Sequence, residues 1–300
     1  MKQKNPNQYH KSVLLKESIF YLAVKKNGSY IDATLGGGGH TAAILNCGGK
    51  VLGIDQDPEA LEAAREYLST ACPDTAWQLA LGNFAKIEEI ARKNGFEQVD
   101  GILFDLGVSS HQLETSERGF SFNQPGPLDM RMNPDIAVKA ADLVNALNKG
   151  ELEELFFKLG DEIYARKIAE AIVEYRELKP IVTCDELADI IVRARPRRGK
   201  FDRTHPATRC FQALRIAVND ELNSLKESLP GAFNLLKSGG RLVVISFHSG
   251  EERIVKQYFK KMQNEGQMKI LTPKIIRPSL EEVNDNSRSH SARLRAAEKR

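Results

Sequence analysis

The amino-acid sequence of 300 residues predicts an α/β fold, a doubly wound and mainly parallel sheet that carries a helical insert. Three observations support this prediction. Four short apolar runs alternate with helix-like segments in the first third of the chain, and a glycine-rich turn joins the first run to the first helix. The alternation stops near residue 120 and resumes near residue 206.

Each of the four apolar runs is predicted to be a strand, and the fourth is typical of a buried parallel strand. In chain order they are 29–31, 50–55, 76–81 and 101–105. Helices are predicted at 40–45, from Pro58 onward and at 86–93, and Asp57 is a suitable N-cap for the second of them. Because the carboxyl ends of parallel strands share one edge of a sheet, the residues that follow these runs are expected to form one site.

The turn after the first strand contains four consecutive glycines, Gly36 to Gly39. Such a turn is either a flexible loop or a backbone that approaches a ligand closely. The second strand ends in Asp55, where nucleotide-binding sites of Rossmann type place an acid against a ribose diol. A dinucleotide turn has a third glycine where this chain has Thr41. The pattern therefore disfavours NAD or FAD and favours S-adenosylmethionine (AdoMet).

The interruption of the strand–helix alternation begins with a long polar segment, Gly107–Asn133, which is typical of a lid or a binding loop. Four helices are then predicted, near 137–147, 149–159, 162–178 and 184–194. The last begins with the capping-box sequence Thr183-x-x-Glu186. We therefore predict a helical insert at 120–200.

The alternation resumes at Pro206. Apolar residues from Phe211 to Leu229 recur at spacings of three and four, which predicts one long amphipathic helix. The later elements are a fifth strand, a helix and two weaker β segments, predicted at 242–246, 251–262, 268–271 and 274–276. A basic tail closes the sequence.

The net charge of +3 does not by itself indicate a polyanionic partner, but the basic residues are clustered. The first cluster contains Arg193, Arg195, Arg197, Arg198, Lys200 and Arg203, and the second contains Arg288, Arg293, Arg295, Lys299 and Arg300. Each cluster is either a phosphate-binding patch or a solvated charged face.

The four cysteines lack the short spacings of a zinc site or a disulfide framework, so no metal is expected. The N-terminal region has no apolar segment typical of a signal peptide. No apolar run approaches the ~20 residues that a membrane span needs. We expect a cytoplasmic protein with no membrane partner.

Six sequence blocks resemble the signatures of one family, the bacterial 16S ribosomal RNA (cytosine-N4) methyltransferases called RsmH, formerly MraW. The blocks are Asp32–His40, Asp105–Ser110, Arg118–Phe122, Gly126–Met132, His205–Arg209 and Ser246–Ser249. They occur in the family's order along essentially the whole chain. The run Pro127-Leu128-Asp129-Met130-Arg131-Met132 is the most specific of them.

This resemblance implies a Rossmann-like class I AdoMet-dependent methyltransferase domain, formed by 1–119 and 201–300, with 120–200 as an inserted helical domain for RNA recognition. The implied reaction is methylation of N4 of a decoding-centre cytidine, position 1402 of 16S rRNA, in the small ribosomal subunit. The implied AdoMet contacts are Gly38, Gly39, His40, Asp55, Phe84, Asp105 and Gln112. A homodimer is left open.

The reaction chemistry suggests further residues. Cytosine N4 is a poor nucleophile, so an acceptor that holds one N4 hydrogen assists the transfer. Asp105 or a nearby carbonyl, with Ser109 and Ser110, is a candidate, although Asp105 can instead be fully used in binding AdoMet. His248, after the fifth strand, is the other candidate, or it is a histidine satisfied by local hydrogen bonds.

Five arginines are candidates for contact with RNA: Arg131, Arg195, Arg197, Arg198 and Arg293. Arg131 can equally form an internal ion pair with Asp129. Three other classes of function share parts of this pattern: a NAD-dependent oxidoreductase, a non-catalytic RNA-binding factor on a relic AdoMet fold, and a DNA cytosine-N4 methyltransferase. The position of Thr41 disfavours the first, and the intact cofactor positions disfavour the second.

Overall fold

The computed structural model of the protein describes residues 12–122, 125–195 and 205–300. The chain forms two compact units. The first consists of Met1–Ser109 and Leu222–Arg300, and the second is the intervening Ser110–Glu221. The insert predicted at 120–200 falls within the second unit, which begins earlier and ends later than predicted.

The first unit is built on a seven-stranded sheet in the order β3-β2-β1-β4-β5-β7-β6. Its strands are β1 Ser29–Asp32, β2 Lys50–Asp55, β3 Trp77–Leu81, β4 Val99–Asp105, β5 Leu236–Ser246, β6 Met268–Ile270 and β7 Arg293–Lys299. The first five strands pair in parallel, and β7 is antiparallel to both β5 and β6. This sheet confirms the predicted Rossmann-like α/β fold.

Helices connect the strands and form the second unit. Those of the first unit are α1 Leu15–Leu22, α2 Gly39–Asn46, α3 Pro58–Ala71, α4 Ile87–Lys93, α11 Glu221–Leu235, α12 Ser249–Asn264 and α13 Leu280–Asp285. Those of the second are α5 Ser110–Glu114, α6 Ala140–Ala146, α7 Lys149–Gly160, α8 Ala165–Arg176, α9 Cys184–Ala194 and α10 Thr208–Val218. No strand lies between 134 and 195, all of which the structure describes.

The centre of the sheet is buried on both faces, as the fourth apolar run predicted. Successive side chains of a strand point to opposite faces, and in β4 Ile102 and Phe104 join one apolar cluster whereas Leu103 joins the other. Gly53 of β2 permits close packing, because a Cβ there would lie 2.7 Å from Cδ1 of Leu35. The core thus holds the strand ends in fixed register.

The basic tail was not predicted to be a strand, but β7 is one, and it lies between β5 and β6. Its apolar residues Leu294, Ala296 and Ala297 are fully buried. Arg295 is paired with Glu252 at 2.6 Å, so its charge is neutralised where it meets α12. The strand was missed in the sequence because its few apolar residues lie among many basic ones.

The prediction of one long helix from Phe211 to Leu229 was wrong, because the chain ends α10 at Val218 and begins α11 at Glu221. Between them Asp220 adopts a positive φ of 47°, which no helix tolerates. The break coincides with the return of the chain from the second unit to the first. Apolar spacing continued through it because both helices bury one face.

Asn219 stabilises this break from within the second unit. Its side-chain amide donates to the carbonyls of Met130 and Arg215, at 2.8 and 2.9 Å, and its Oδ1 accepts from the amide of Met132 at 2.7 Å. The side chain is buried. It therefore links the break to the Pro127–Met132 segment.

The segment Gly107–Asn133 was predicted as a polar loop, but part of it is helical. It contains α5 and a 3₁₀ turn at Ser116–Arg118. Gly119 follows with a φ of 69°, and a Cβ there would lie 2.1 Å from the carbonyl oxygen of Pro127. Leu128, Met130 and Met132 are buried, so this segment is part of the core of the second unit.

None of the described helices is both long enough and apolar enough to cross a membrane.

Replacing Asn219 with alanine should lower the free energy of unfolding by about 2–3 kcal/mol, because it removes three hydrogen bonds between a buried side chain and the backbone of Met130, Met132 and Arg215. Urea denaturation followed by circular dichroism measures this. The exposed Asn264→Ala is the matched control and should change little. A loss below about 0.5 kcal/mol at Asn219 would show that the break does not depend on its amide.

Candidate active site at the carboxyl edge of the sheet

The glycine turn connects β1 to α2 at the carboxyl edge of the sheet. Gly36 and Gly38 have positive φ values of 50° and 80°, and Gly38 is the N-cap of α2. A Cβ on Gly38 would contact Ala64 and Leu68 of α3 at 3.4 Å, whereas a Cβ on Gly36 would meet nothing within 4 Å. The turn is thus packed on one side and open at Gly36, which suits a backbone that faces a ligand.

Asp55, the last residue of β2, holds this turn in place. Its Oδ2 accepts from the amide of Gly36 at 2.8 Å, and its Oδ1 accepts from the amide of Asp57 at 2.9 Å. Burial raises the pKa of Asp55 to about 6, although these two hydrogen bonds oppose the rise. Each carboxylate oxygen keeps a further lone pair, so the side chain can accept two more hydrogen bonds, as a ribose diol requires.

Asp32, the last residue of β1, was not predicted as a site residue. It is 1% exposed, and its Oδ2 accepts from the hydroxyl of Thr41 at 2.8 Å. Burial raises the pKa of Asp32 to about 6, and the hydrogen bonds from Thr41 and Thr34 limit the rise. In the sequence, Thr41 was notable only because a dinucleotide-binding turn has glycine at that position. In the structure its hydroxyl donates a hydrogen bond to Asp32.

Asp105 is the last residue of β4, which is the neighbour of β1 in the sheet. Its amide donates to the hydroxyl of Thr34 at 2.6 Å, and its Oδ2 lies 3.5 Å from Nδ1 of His40. Its Oδ1 is buried and has no hydrogen-bond partner among the described residues. Burial, together with the negative charges of Asp32 and Glu251, raises the pKa of Asp105 well above its usual value.

His40 is the second residue of α2 and is buried. Its Nε2 lies 3.1 Å from the carbonyl oxygen of Val13. A carbonyl only accepts hydrogen bonds, so this contact requires a proton on Nε2. His40 and Asp105, both predicted site residues, are therefore brought together by the fold.

Phe84 begins a 3₁₀ turn after β3, and the Asn83 side chain caps that turn by accepting from the amide of Ala85 at 2.8 Å. The Phe84 ring is half-buried and meets Phe104 edge to face, with centroids 5.6 Å apart. Strand β3 neighbours β2, which carries Asp55. An apolar ring after the strand next to the one that ends in Asp55 suits a flat aromatic ligand group.

His248 caps the N-terminus of α12, where its Nδ1 accepts from the amide of Gly250 at 3.2 Å. Its Nε2 lies 3.2 Å from Oε1 of Glu251 but does not have hydrogen-bonding geometry. Glu251 also accepts from the amides of Phe247 and His248. These contacts favour the local structural role that the sequence left open, and Glu251 was missed because only its charge was visible.

The other predicted polar residues are divided between the units. Ser109 is the last residue of the first unit before the chain enters α5, and it is half-buried. Ser110 and Gln112 belong to α5 of the second unit, and Gln112 is buried. Their roles at the site stay predictions.

Arg131 forms a bidentate pair with Asp129, at 2.6 and 2.9 Å, and its Nη1 donates to the carbonyls of Pro134 and Ile136. Partial burial opposes ionisation of Asp129, but Arg131 more than offsets it and holds the pKa of Asp129 below its usual value. This is the internal ion pair that the sequence left as an alternative. A contact of Arg131 with RNA stays a prediction.

Arg195 is also held within the second unit. It is 11% exposed, its Nη1 donates to the carbonyl of Pro206 at 3.2 Å, and its guanidinium lies 5.2 Å from the centre of the Tyr164 ring. Arg293 is half-buried in β7, and its Nε has no partner among the described residues. Arg197 and Arg198 lie outside the described residues.

Comparison with known proteins gives consistent matches over the whole chain. The sequence model of the MraW methylase family matches residues 7–300. A protein named ribosomal RNA small subunit methyltransferase H from Coprothermobacter proteolyticus is 47% identical over 292 residues, which cover 97% of this chain and 96% of that protein. The protein of the same name from Carboxydothermus hydrogenoformans is 46% identical over 308 residues, 97% of each chain.

Among solved structures, a ribosomal RNA methylase from Streptococcus thermophilus aligns with all of this chain and 99% of its own. The TM-score is 0.46 and the sequence identity is 14%.

The raised pKa of Asp32 predicts how stability changes with pH. Because the folded protein holds this proton more tightly than the unfolded chain, the contribution is fully present below about pH 4 and is lost as the pH rises through about 6. Relative to the parent, an Asp32→Asn variant should therefore gain about 1–3 kcal/mol of stability between pH 4 and pH 7.

Urea denaturation of parent and variant at a series of pH values measures this difference. Thr41→Val is the matched comparison, because it keeps the carboxyl of Asp32 but removes a hydrogen bond that favours its ionised form. It should move the transition to higher pH. A parent–variant difference that is constant from pH 4 to pH 7 would contradict the raised pKa.

Proposed function

The chain belongs to the MraW methylase family, and from this premise we propose that it methylates the ribosomal RNA of the small subunit with AdoMet as donor. More narrowly, the acceptor is N4 of cytidine 1402 in the decoding centre of 16S rRNA, and the reaction takes place in the cytoplasm. The name shared by relatives that are 44–47% identical supports the substrate class. The six signature blocks support the acceptor atom.

The arrangement of the first unit supports AdoMet as the donor, and its fold is the predicted class I methyltransferase fold. The glycine turn is open at Gly36, and Asp55 keeps lone pairs for the ribose hydroxyls. Phe84, which follows the neighbouring strand β3, offers an apolar ring suited to adenine. A ligand that spans from β3 toward β4 extends from Phe84 past Asp55 and the glycine turn to Asp105.

The single observation that carries the proposed chemistry is the buried Oδ1 of Asp105, which has no hydrogen-bond partner among the described residues. A buried acceptor without a donor is costly, so its presence at the end of β4 indicates that a ligand supplies the hydrogen. The exocyclic amine of cytosine supplies one. We therefore assign Oδ1 of Asp105 to one N4 hydrogen.

When bound, AdoMet supplies an electrophilic methyl group on a positively charged sulfonium. Asp105 then orients the acceptor amine, and its hydrogen bond returns lone-pair density from the ring to N4. Asp55 and the glycine turn fix the donor, so most of the catalysis is positioning. The target base must leave its stack or already be single-stranded to reach an atom at the edge of the sheet.

The second unit and the Arg197 and Arg198 region are proposed to recognise the RNA. Phosphate contacts are independent of sequence, so they hold the substrate but do not select one cytidine. Selection then depends on the shape of the folded RNA. This is why an assembled or nearly assembled subunit is the proposed substrate.

Incubation with small subunits should yield N4-methylcytidine, detected by nucleoside mass spectrometry. In the Asp105→Asn variant, turnover should fall about 100-fold or more while AdoMet affinity changes little, because the amide still accepts a hydrogen bond but cannot take a proton. Asp55→Ala is the matched comparison and should lose about 10- to 100-fold in AdoMet affinity.

Methyl transfer to cytosine C5, to a ribose oxygen or only to DNA would overturn the proposed reaction. If Asp105→Asn lost AdoMet affinity and turnover in equal proportion, Asp105 would serve the donor and not the amine.

Replacing Arg197 and Arg198 together with alanine should weaken RNA binding and flatten its salt dependence. Each lost phosphate contact should reduce the slope of log affinity against log salt by about 0.7–0.9. The control variant changes Lys260 and Lys261, two exposed lysines of α12, to alanine and removes the same charge. If both double variants shifted the slope equally, general electrostatics would explain the effect and the phosphate contacts would be rejected.

A further inference from the structure

His40 and Asp105 form a buried pair whose protons can be counted from the geometry. Nε2 of His40 carries a proton, because it contacts the carbonyl oxygen of Val13 at 3.1 Å. In a neutral imidazole the other nitrogen, Nδ1, is then unprotonated. Nδ1 lies 3.5 Å from Oδ2 of Asp105. Two bare acceptors would repel each other at this distance, so one further proton lies on either Nδ1 or Oδ2, and we call it the shared proton.

The surroundings of the pair favour keeping that proton. Asp105 faces the carboxylates of Asp32 at the end of β1 and Glu251 on α12, and both act on it electrostatically. No lysine or arginine of the described residues forms an ion pair with Asp105. An added positive charge on the pair is thus stabilised by two nearby negative charges.

The shared proton leaves Oδ1 of Asp105 as an acceptor in either location. With the proton on Oδ2, Oδ1 is the carbonyl oxygen of a neutral acid, and with the proton on Nδ1 it is a carboxylate oxygen. In both cases Oδ1 can accept a hydrogen bond from an amine but has no proton to donate. In both arrangements the pair therefore presents a hydrogen-bond acceptor to the cytosine amine.

Resting on the proposed function, we infer that His40 is a positioning residue that takes up, through Asp105, the proton released by the methylated amine. As the N4–carbon bond forms, the bond between that carbon and the sulfonium sulfur breaks and its electron pair stays on sulfur. N4 becomes positively charged, and an N4–H bond then breaks. That proton moves to Oδ1 of Asp105, and the shared proton moves fully to Nδ1 of His40. The pair then carries one positive charge, and the product amine is neutral.

The proton must later leave His40 for solvent. A pair that is already fully protonated cannot accept the proton that the amine releases. The rate of methyl transfer should therefore decrease at acidic pH with the ionisation of the pair as a unit. Removing the imidazole removes the second proton position. A merely structural role of His40 would instead lower the rate equally at every pH.

The experiment measures single-turnover methyl transfer to small subunits between pH 5.5 and pH 9 for the parent, His40→Gln and His40→Asn. Glutamine can keep the donation toward Val13, and asparagine can keep a contact with Asp105. We expect the maximum rate to fall about 100-fold in both variants and the acidic limb to move by at least about one pH unit. A uniform fall with an unchanged acidic limb would overturn the inference.

A second measurement does not depend on the variants being active. In the full-length protein labelled with ¹⁵N-histidine, Nε2 of His40 should carry a proton, whether the ring is neutral or is also protonated on Nδ1. A proton on Nδ1 in the neutral ring would overturn the inference. If mass spectrometry shows a product other than N4-methylcytidine, the proposed function fails. If that product forms but the acidic limb does not move, only the role of His40 fails.

Discussion

Asp32, Asp55 and Asp105 end three adjacent strands, and no lysine or arginine of the described residues pairs with them. Taking carboxylates out of water is costly unless hydrogen bonds replace the lost solvent. Here the replacements are the amides of Gly36 and Asp57 for Asp55 and the Thr41 hydroxyl for Asp32. The glycine turn and the start of α2 are therefore positioned by the need to solvate buried acids, and Oδ1 of Asp105 is left without such a donor.

The lack of a hydrogen-bond donor at Oδ1 of Asp105 links the fold to the proposed chemistry. A methyl transfer from a sulfonium needs negative potential near the donor and an acceptor for the amine hydrogen, and it needs little else. In the proposed reaction, Asp32 and Asp55 at the same sheet edge would meet the first requirement, and Oδ1 of Asp105 would meet the second. Burial raises the pKa values of Asp32, Asp55 and Asp105, and neighbouring carboxylates add to the rise for Asp55 and Asp105.

Much of this could be predicted from the sequence because local patterns determine it. The apolar runs of β1 to β4, the glycines and the acid Asp55 all act through near neighbours in the chain. Three features could not be predicted in this way. In the sequence, strand β7 resembled a charged tail, because it has only a few apolar residues, such as Leu294 and Ala296, among basic ones. The break at Asp220 could not be seen, because the apolar spacing continues through it. The role of Thr41 depends on a hydrogen bond to Asp32, which only the folded structure shows.

The first unit is discontinuous, and this has a consequence for how the protein folds. Strand β4 ends at Asp105 and its neighbour β5 begins at Leu236, so the whole second unit is a loop that must close before the two strands can pair. Closing a disordered loop costs more entropy as it lengthens, and pairing of distant parallel strands is slow. Early folding of the inserted helices shortens the effective loop. Core residues of the insert, such as the fully buried Phe156, thereby influence the rate at which the catalytic sheet assembles.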